Sequence, residues 1–498
     1  MKKALFIILL LSKITSRYFS RLKDTLLFNS GRSLSGLTAA GKEQKNVMFP
    51  HAAVKIGLTA FVLIVAGVFL WRTTIKFKES TLSEGIVGLY DRDNLNPAAL
   101  PAPVTRLISR PLVSLDKSGL PQPDLVSGWD EDNNATTYIF HLKDNLYWND
   151  GSKVLSSDIK FNIPDVTISY PDEKTIAFKL PEPFAPLPTF LTTPVFKNGG
   201  WVGVGDYRVS GMAYSNGFLA KLNLAPKAVG KTALPNLVIR FYQDEPTLKT
   251  AFTLGEVSTM LGLSDDEGVK SAGNTKESQF TDFNRVLAVF YNTKDDTLKD
   301  KNLRKALTAA MPSFPGAQQA KGPIPSFSWA FSEPPLELNN NLNLAKSYLD
   351  KAGGGKDTKV VLMTTSDFQS AGGQIVNSWK NLGLQATLKI ESGMPQSFQA
   401  LLVAEPIPAD PDQYTLWHST QTQTNLSKYS GPRVDKDLED GRKTKDIKQR
   451  KESYADFQKT LSEDCPAAFL YYPKTLTVYR SNVESDLQKV LPLQLPAS

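Results

Sequence analysis

The stretch YIFHLKDNLYWNDG, residues 138–151, is the part of the sequence that indicates the fold most directly. Apolar and polar residues alternate from Tyr138 to Leu142, which is the pattern of a strand with one buried face. The apolar positions continue to Trp148, and Asp150-Gly151 is a dipeptide typical of tight turns. The segment therefore predicts β-strands that meet at tight turns.

Helical spacing appears further along the chain. Apolar residues recur every three or four positions in residues 303–310, 344–352, 375–382 and 447–461. Helix stops follow these stripes at Pro312, Gly353, Gly383 and Cys465-Pro466. Alternating or continuous apolar runs predict strands at residues 85–90, 175–180, 386–390 and 468–472. Helices interleaved with strands predict a mixed α/β body.

Length and charge narrow the class of protein. A chain of 498 residues with 41% hydrophobic content is long enough for two or three domain-sized units. The net charge of +7 comes from residues 1–78, which hold 13 Lys/Arg against Asp24 and Glu43, whereas the rest of the chain carries a net −4. A mildly acidic body argues against nucleic acid as a partner. The single cysteine, Cys465, excludes a disulfide framework and a multi-cysteine metal site.

The N-terminal region predicts a membrane anchor. Residues 52–72 form an apolar run of the length that a bilayer core requires, interrupted only by Lys55 before it ends at Trp71-Arg72. More Lys/Arg precede this run than follow it, so the positive-inside rule places residues 1–51 in the cytoplasm and the body outside the membrane. Residues 4–12 resemble the apolar region of a signal peptide, but no cleavage site follows, and a cytoplasmic amphipathic stretch is the favoured interpretation. No cysteine stands directly after either run, which excludes a lipoprotein anchor.

Motifs of catalysis are scarce, and the chain is predicted not to be an enzyme. His141 lies in the predicted strand, on the face opposite Tyr138, where a surface histidine is the simpler interpretation. His418 neighbours aromatic and hydroxyl residues, but the sequence lacks a G-x-S-x-G elbow and a strict phosphate-binding loop, so ligand contact or a plain loop is favoured. Asp410-Pro-Asp412 is interpreted as an acidic turn rather than a metal site, and no cofactor is predicted. The charge run of residues 435–451 is interpreted as a solvated helix face.

Taken in order, the motifs resemble those of the extracellular solute-binding proteins of family 5, the oligopeptide, dipeptide and nickel type. Residues 138–151, followed by Asp158-Ile, are similar to the family signature Y-x-F-x-L-(K/R)-x-x-(hydrophobic)-x-W-x-(D/N)-G. Further similar pieces stand in the family's order at residues 95–97, 203–209, 252–257, 290–307, 343–353 and 429–466. The resemblance covers about residues 84–490.

The resemblance implies an α/β fold with two lobes of the type II periplasmic-binding-protein kind, which close on a ligand like a hinge. Lobe I would be formed by residues 84–280, with an inserted subdomain at about residues 116–202, and lobe II by residues 281–470. Residues 471–498 would return to lobe I, and residues 73–83 would be a stalk after the anchor.

The resemblance also implies a ligand site between the lobes. In peptide binders of the family, a carboxylate a few residues before the D-P step holds the ligand's amino terminus, and here Ile407 occupies that place. Nearby Glu405 is the expected substitute. The ligand contacts expected near the cleft are Tyr90, Glu405, Asp410, Tyr414, Trp417 and Asn425.

The predicted function is therefore capture of a peptide or similar polar solute by a monomeric, membrane-anchored receptor that serves the permease of an ABC importer. The alternative is a surface interaction or sensory protein that kept the scaffold and lost ligand transport. Two segments, after Asp158 and after Met311, are shorter here than in the family, and they leave that alternative open.

Overall fold

The computed structural model describes residues 80–227, 234–265, 268–269, 274–335, 338, 340–355 and 357–494. The predicted cytoplasmic tail and the predicted transmembrane helix at residues 52–72 lie outside these ranges. The last residues of the predicted stalk, Thr81–Ser83, belong to the first strand. Among the residues described, no helix has both the length and the apolar character needed to cross a bilayer.

The described residues form nineteen strands. They are β1 (Thr81–Val87), β2 (Val113–Leu115), β3 (Pro121–Pro123), β4 (Val126–Glu131), β5 (Thr137–Leu142), β6 (Thr167–Asp172), β7 (Thr175–Lys179), β8 (Tyr207–Ser215), β9 (Phe218–Pro226), β10 (Asn236–Tyr242), β11 (Thr259–Leu263), β12 (Thr275–Thr281), β13 (Arg285–Tyr291), β14 (Gln318–Gln319), β15 (Lys359–Thr365), β16 (Gln385–Glu391), β17 (Ala400–Pro406), β18 (Ala467–Tyr472) and β19 (Lys474–Arg480).

Ten α-helices lie in the same part of the chain. They are α1 (Ala102–Ile108), α2 (Leu187–Phe190), α3 (Glu245–Leu254), α4 (Lys301–Ala309), α5 (Leu342–Lys351), α6 (Gln369–Asn381), α7 (Tyr414–Trp417), α8 (Pro432–Lys443), α9 (Ile447–Asp464) and α10 (Glu484–Gln494).

A seven-stranded sheet in the order β12-β19-β11-β1-β10-β9-β8 forms the centre of the first lobe. Strand β1 runs parallel to both β10 and β11, whereas β19 runs antiparallel to β11. Helices α1 and α10 pack on one face, where Leu107 and Val490 are fully buried in the same core. The first lobe thus contains chain from before residue 113, from residues 207–281 and from the C-terminal segment.

A four-stranded antiparallel sheet in the order β4-β5-β7-β6 lies in the predicted inserted subdomain, about residues 116–202, together with the signature segment. Burial alternates along β5 as the sequence predicts: Tyr138 and Phe140 are inside, and the side chain of His141 is 44% exposed beside Asp130. The buried Trp148 donates its indole N–H to Asp158 Oδ2 at 3.0 Å. The tryptophan and aspartate of the signature are therefore bonded to each other.

The second lobe, residues 282–472, is built on a six-stranded sheet in the order β14-β18-β13-β17-β15-β16. Helices α4, α5 and α6 contribute Leu307, Leu349 and Trp379 to the core on one face. Helices α8 and α9 contribute Leu438 and Phe457 to the core on the other face. The lobe is therefore a three-layer α/β/α unit.

The helix ends in this lobe follow the predicted stop signals. Helix α5 ends just before Gly353 and α6 just before Gly383, and both glycines have the positive φ of a left-handed cap. Helix α9 ends at Cys465, itself left-handed at φ 50, and Pro466 follows.

Two crossovers join the lobes. One leads from β12 to β13 through residues 282–284, and the other leads from β18 to β19 through Pro473. They are adjacent, since the Asp282 amide donates to the Pro473 carbonyl at 2.8 Å. In the first-lobe sheet, the C-terminal ends of β1, β10 and β11 lie at the edge from which the crossovers leave. In the second-lobe sheet, the C-terminal ends of β15 and β17 lie at the corresponding edge. In open α/β sheets such strand ends are where ligands bind.

Candidate functional site

Glu405 lies at the end of β17, at the crossover edge of the second-lobe sheet. It stands opposite Val286 in the register of β13 and β17. Its carboxyl is half-buried and has no hydrogen bond or salt bridge to any residue within the described ranges. Burial raises its pKa to about 7, because an apolar environment disfavours the charged form. An unpaired, partly desolvated carboxyl at a strand end is suited to a cationic group brought by a ligand.

Tyr90 lies on the first-lobe side, three residues after β1 ends. Its ring is half-buried and meets Phe241 edge to face, with centroids 5.2 Å apart. A Cβ atom at Gly88 would stand only 2.5 Å from this ring, so a glycine is needed there for the ring to keep its place. Burial also raises the pKa of the Tyr90 phenol, which therefore stays protonated.

Asp410, four residues beyond β17, is held inside the protein, with 6% of its surface exposed. Its Oδ1 accepts from Arg450 Nη2 at 2.5 Å and from the Asp412 amide at 2.9 Å. Its Oδ2 is 3.1 Å from the hydroxyl of Thr189, which belongs to the inserted subdomain. Both carboxylate oxygens therefore have protein partners.

Tyr414 is the half-buried member of the aromatic segment on α7. Its ring stacks on the imidazole of His418, with centroids 4.0 Å apart. The guanidinium of Arg442 lies over the same ring at 4.1 Å, a cation–π arrangement. The hydroxyl is within 3.4 Å of Thr420 Oγ1 and is otherwise available for a further hydrogen bond.

Trp417 and Asn425 are placed in the interior. The Trp417 indole donates to Gln413 Oε1 at 2.9 Å, and its ring stacks on Phe290. The Asn425 amide donates to the Tyr429 carbonyl at 2.9 Å, and its Oδ1 accepts from Ser427 Oγ at 3.0 Å. These bonds shape the loop between α7 and α8. Contact of either side chain with a ligand stays a prediction.

His418 does not form a dyad with its neighbour Ser419. The imidazole contacts Thr420 Oγ1 at 2.8 Å and Glu439 Oε1 at 3.3 Å. The Ser419 hydroxyl donates to Asp435 Oδ2 at 2.6 Å. The serine thus has a carboxylate rather than the imidazole as its partner, which is not the geometry that activates a nucleophile.

The prediction that residues 435–451 form one solvated helix face is wrong. The run covers most of α8 and the start of α9, and Arg450 within it is only 5% exposed. Arg450 also contacts the hydroxyl of Tyr454 at 3.1 Å, and Tyr454 is followed by the buried Gln458. Arg450, Tyr454 and Gln458 are spaced four residues apart, about one helical turn. This spacing indicates that their side chains lie on the same face of α9, which here points inward.

A cavity of about 180 Å³ lies within the second lobe. Helix α9, strand β18 and the segment after β14 line it, with Gln458, Leu461, Cys465 and Phe469 among its walls. The sequence did not predict it. The thiol of Cys465 is buried, and burial raises its pKa.

Comparison with known proteins identifies the family. Residues 121–425 match the model described as bacterial extracellular solute-binding proteins, family 5 Middle. The chain is 22% identical over 406 residues to the probable D,D-dipeptide-binding periplasmic protein DdpA of Escherichia coli, a match that covers 70% of this chain and 78% of that protein.

Solved structures share the fold. NikZ of Campylobacter jejuni, in complex with Ni(L-His), superposes with a TM-score of 0.64 at 21% identity and covers 80% of this chain and 94% of its own. AppA of Bacillus subtilis, in complex with a nonapeptide, gives a TM-score of 0.59 at 17% identity over 81% of this chain and 96% of its own. The two-lobed α/β fold of the periplasmic-binding-protein type is thus confirmed. The family match covers more than half of the sequence, and the chain belongs to the bacterial extracellular solute-binding proteins of family 5.

Proposed function

We propose that this protein captures a short peptide or a similar polar solute that carries a free amino group, and delivers it to the permease of an ABC importer. The observation that carries the proposal is the half-buried Glu405 carboxyl, which has no partner among the described residues and stands where the two lobes are joined. Family membership supports capture of a solute outside the cytoplasm.

The chemistry of the candidate groups supports an amine as the anchored part of the ligand. An ammonium group that enters a partly desolvated site donates a charge-assisted hydrogen bond to a carboxylate and stabilises the ionised form of that carboxylate. Tyr90 offers ring surface, and Tyr90 and Tyr414 each offer a hydroxyl, which suits a ligand with apolar side chains and a polar backbone. Relatives with the same fold are described with a nonapeptide and with nickel–histidine, so the ligand class extends beyond one peptide length.

Isothermal titration of the full-length protein in detergent with a set of tripeptides tests the role of Glu405. The variant Glu405→Gln should bind free-amine peptides roughly ten- to a hundredfold more weakly than the wild type, the range expected for a hydrogen bond to a charged group. N-acetylated peptides should bind both proteins equally. The matched control is Glu391→Gln, which changes a carboxylate at the end of β16 that is paired with Lys389 at 2.6 Å. Equal losses in both variants, or no binding of any peptide by the wild type, would contradict the proposal.

The membrane anchor at residues 52–72 is part of the same proposal, and its support is the sequence pattern. A receptor fixed beside its permease needs no diffusion through the extracytoplasmic space. Deletion of residues 1–72 should move the protein from the membrane fraction to the soluble fraction. Recovery of the shortened protein in the membrane fraction after a high-salt wash would contradict the anchor.

One observation favours a second candidate, a surface interaction or sensory protein on the same scaffold. Asp410, Trp417 and Asn425, all expected in the cleft, make their hydrogen bonds within the protein. Fewer polar groups are then left to orient a small ligand. Co-purification of the full-length protein with permease subunits would argue against this candidate.

A further inference from the structure

We infer that a small set of polar contacts between the inserted subdomain and the second lobe, centred on Thr189 and Arg442, holds the two together and sets how readily they open. We call these contacts the interlobe lock. The effect on ligand affinity rests on the proposed function, whereas the lock itself does not.

The first part of the lock surrounds the carboxylate of Asp410. Asp410 and Arg450 both belong to the second lobe and form a buried ion pair. Thr189, on α2 of the inserted subdomain, is 4% exposed and places its hydroxyl 3.1 Å from Asp410 Oδ2 and 2.6 Å from the Pro186 carbonyl. Both oxygens are within hydrogen-bonding distance of the hydroxyl. Thr189 therefore links the inserted subdomain to the Asp410 carboxylate of the second lobe.

The second part of the lock surrounds Arg442. Its guanidinium pairs with Asp412 Oδ2 at 3.0 Å, beside the ring of Tyr414. It also lies 5.1 Å from the ring centroid of Phe184 in the inserted subdomain. A backbone hydrogen bond also joins the two parts here, since the Ala185 amide of the inserted subdomain donates to the Arg442 carbonyl of the second lobe at 2.8 Å.

Two further contacts cross the same boundary. The Trp329 amide in the second lobe donates to the Ser118 carbonyl at 2.9 Å. At the rim, Lys445 and Glu131 form a loose ion pair at 3.9 Å. The contacts come from three separate segments of the inserted subdomain, at residue 118, at residue 131 and at residues 184–189, so opening of this boundary would break all of them.

The composition of the lock makes it reversible. The buried ion pair lies wholly in the second lobe and survives opening, so no buried charge loses its partner. Opening removes a hydroxyl from Asp410, an aromatic ring from Arg442, two backbone hydrogen bonds and the loose Lys445–Glu131 pair at the rim, and water can solvate the polar groups that are released. The observed affinity for a ligand scales with the fraction of molecules in the binding-competent state, here the closed one. The strength of these contacts therefore affects ligand affinity even though the contacts are made between protein groups.

Hydrogen exchange on the full-length protein in detergent, without ligand, tests the lock. The reporters are the amides of Ala185 and Trp329, which are bonded only while the boundary is closed. Thr189→Val keeps the shape of the side chain and removes its hydroxyl, and Thr189→Ser keeps the hydroxyl. We expect peptides that contain Ala185 and Trp329 to exchange about tenfold faster in Thr189→Val, the effect of one hydrogen bond to a charged group. Thr189→Ser should exchange like the wild type.

Amides bonded within each unit are the internal control. Leu142 donates to Lys174 inside the inserted subdomain, and Tyr291 donates to Pro466 inside the second lobe. Their exchange should not change in Thr189→Val. Unchanged exchange at Ala185 and Trp329, or equal acceleration at Leu142 and Tyr291, would overturn the inference. Since no ligand is present, a failure of the lock is distinguishable from a failure of peptide capture.

Discussion

Glu84 in the first lobe and Asp410 in the second are both buried carboxyls, but their partners differ in charge. Glu84 is fully buried on β1 and accepts only from the amide of Gln494, at 2.6 Å. Its other oxygen has no hydrogen-bond partner among the described residues. Asp410 has the guanidinium of Arg450 and two further donors.

The difference shows how the partner of a buried carboxyl determines what its removal does to the protein. Glu84 has only a neutral amide as partner, and burial raises its pKa to about 7. Asp410 instead forms an ion pair with Arg450, which makes each partner dependent on the other. Glu405 resembles Glu84 in that burial raises its pKa to about 7, but it is only half-buried, and our proposal assigns it the cation of a ligand as partner.

The largest expected effect comes from removing the cation from the Asp410 pair. Arg450→Met should lower the free energy of unfolding by about 3–5 kcal/mol, because it leaves a buried carboxylate without its counter-charge. Denaturant titration measures this change. The matched control, Arg433→Met, removes a cation from the more than half-exposed pair with Asp456 and should change stability by less than about 1 kcal/mol. Adding Asp410→Asn to Arg450→Met should restore part of the loss, and a further loss instead would contradict this account.

Glu84→Gln should give the next largest effect, and the effect should depend on pH. The pKa of Glu84 is raised from 4.5 to about 7 in the folded state, so protonation of Glu84 stabilises the folded wild type. This stabilisation is fully present below pH 4.5 and is lost as the pH rises through 7. A glutamine does not titrate. The variant should therefore gain about 3 kcal/mol relative to the wild type between pH 4.5 and pH 8. Unfolding curves at several pH values provide the test, with the exposed Glu277→Gln as control, and parallel profiles for Glu84→Gln and wild type would refute it.

Glu405 should make ligand binding depend on pH in the opposite direction. An ammonium ligand needs the ionised carboxylate, so affinity should fall as the pH drops below the raised pKa of about 7, by up to tenfold per pH unit. Titrations of a free-amine tripeptide at pH 5.5, 6.5 and 7.5 measure this. The dependence should disappear in Glu405→Gln. A wild-type affinity that is constant over this range would assign the ligand's anchor to another group.

Local signals in the sequence predicted the elements of the fold well. The alternation in residues 138–142 and the stops at Gly353, Gly383 and Pro466 act over a few residues, and the structure confirms each of them. Sequence reasoning also singled out Glu405, because the family resemblance implies a carboxylate a few residues before the D-P step and Glu405 is the nearby substitute. Its role with a ligand stays a prediction.

Interactions between distant segments could not be predicted in the same way. Arg450 was visible in a helical motif, but its partner Asp410 lies 40 residues earlier, and Thr189 lies 221 residues before Asp410. Whether Trp417 points to a cleft or to the core depends on its contact with Phe290, more than a hundred residues away. Residue type alone does not decide between these outcomes, because an aromatic or charged residue is equally suited to a ligand and to a buried partner.

The smallest effect should come from a carboxylate whose partners are backbone amides at the surface. Asp300 is exposed and caps α4 by accepting from the amides of Asn302 at 2.7 Å and Leu303 at 3.2 Å. Asp300→Ala should lower the free energy of unfolding by about 1 kcal/mol, and Asp300→Ser, which keeps a capping oxygen, by only a few tenths. Denaturant titration of both variants measures the difference. Water already solvates this carboxylate, so its removal leaves no buried charge behind. A decrease in the free energy of unfolding as large as that of Arg450→Met would therefore contradict the view that a buried, charged partner is what makes a carboxylate costly to disturb.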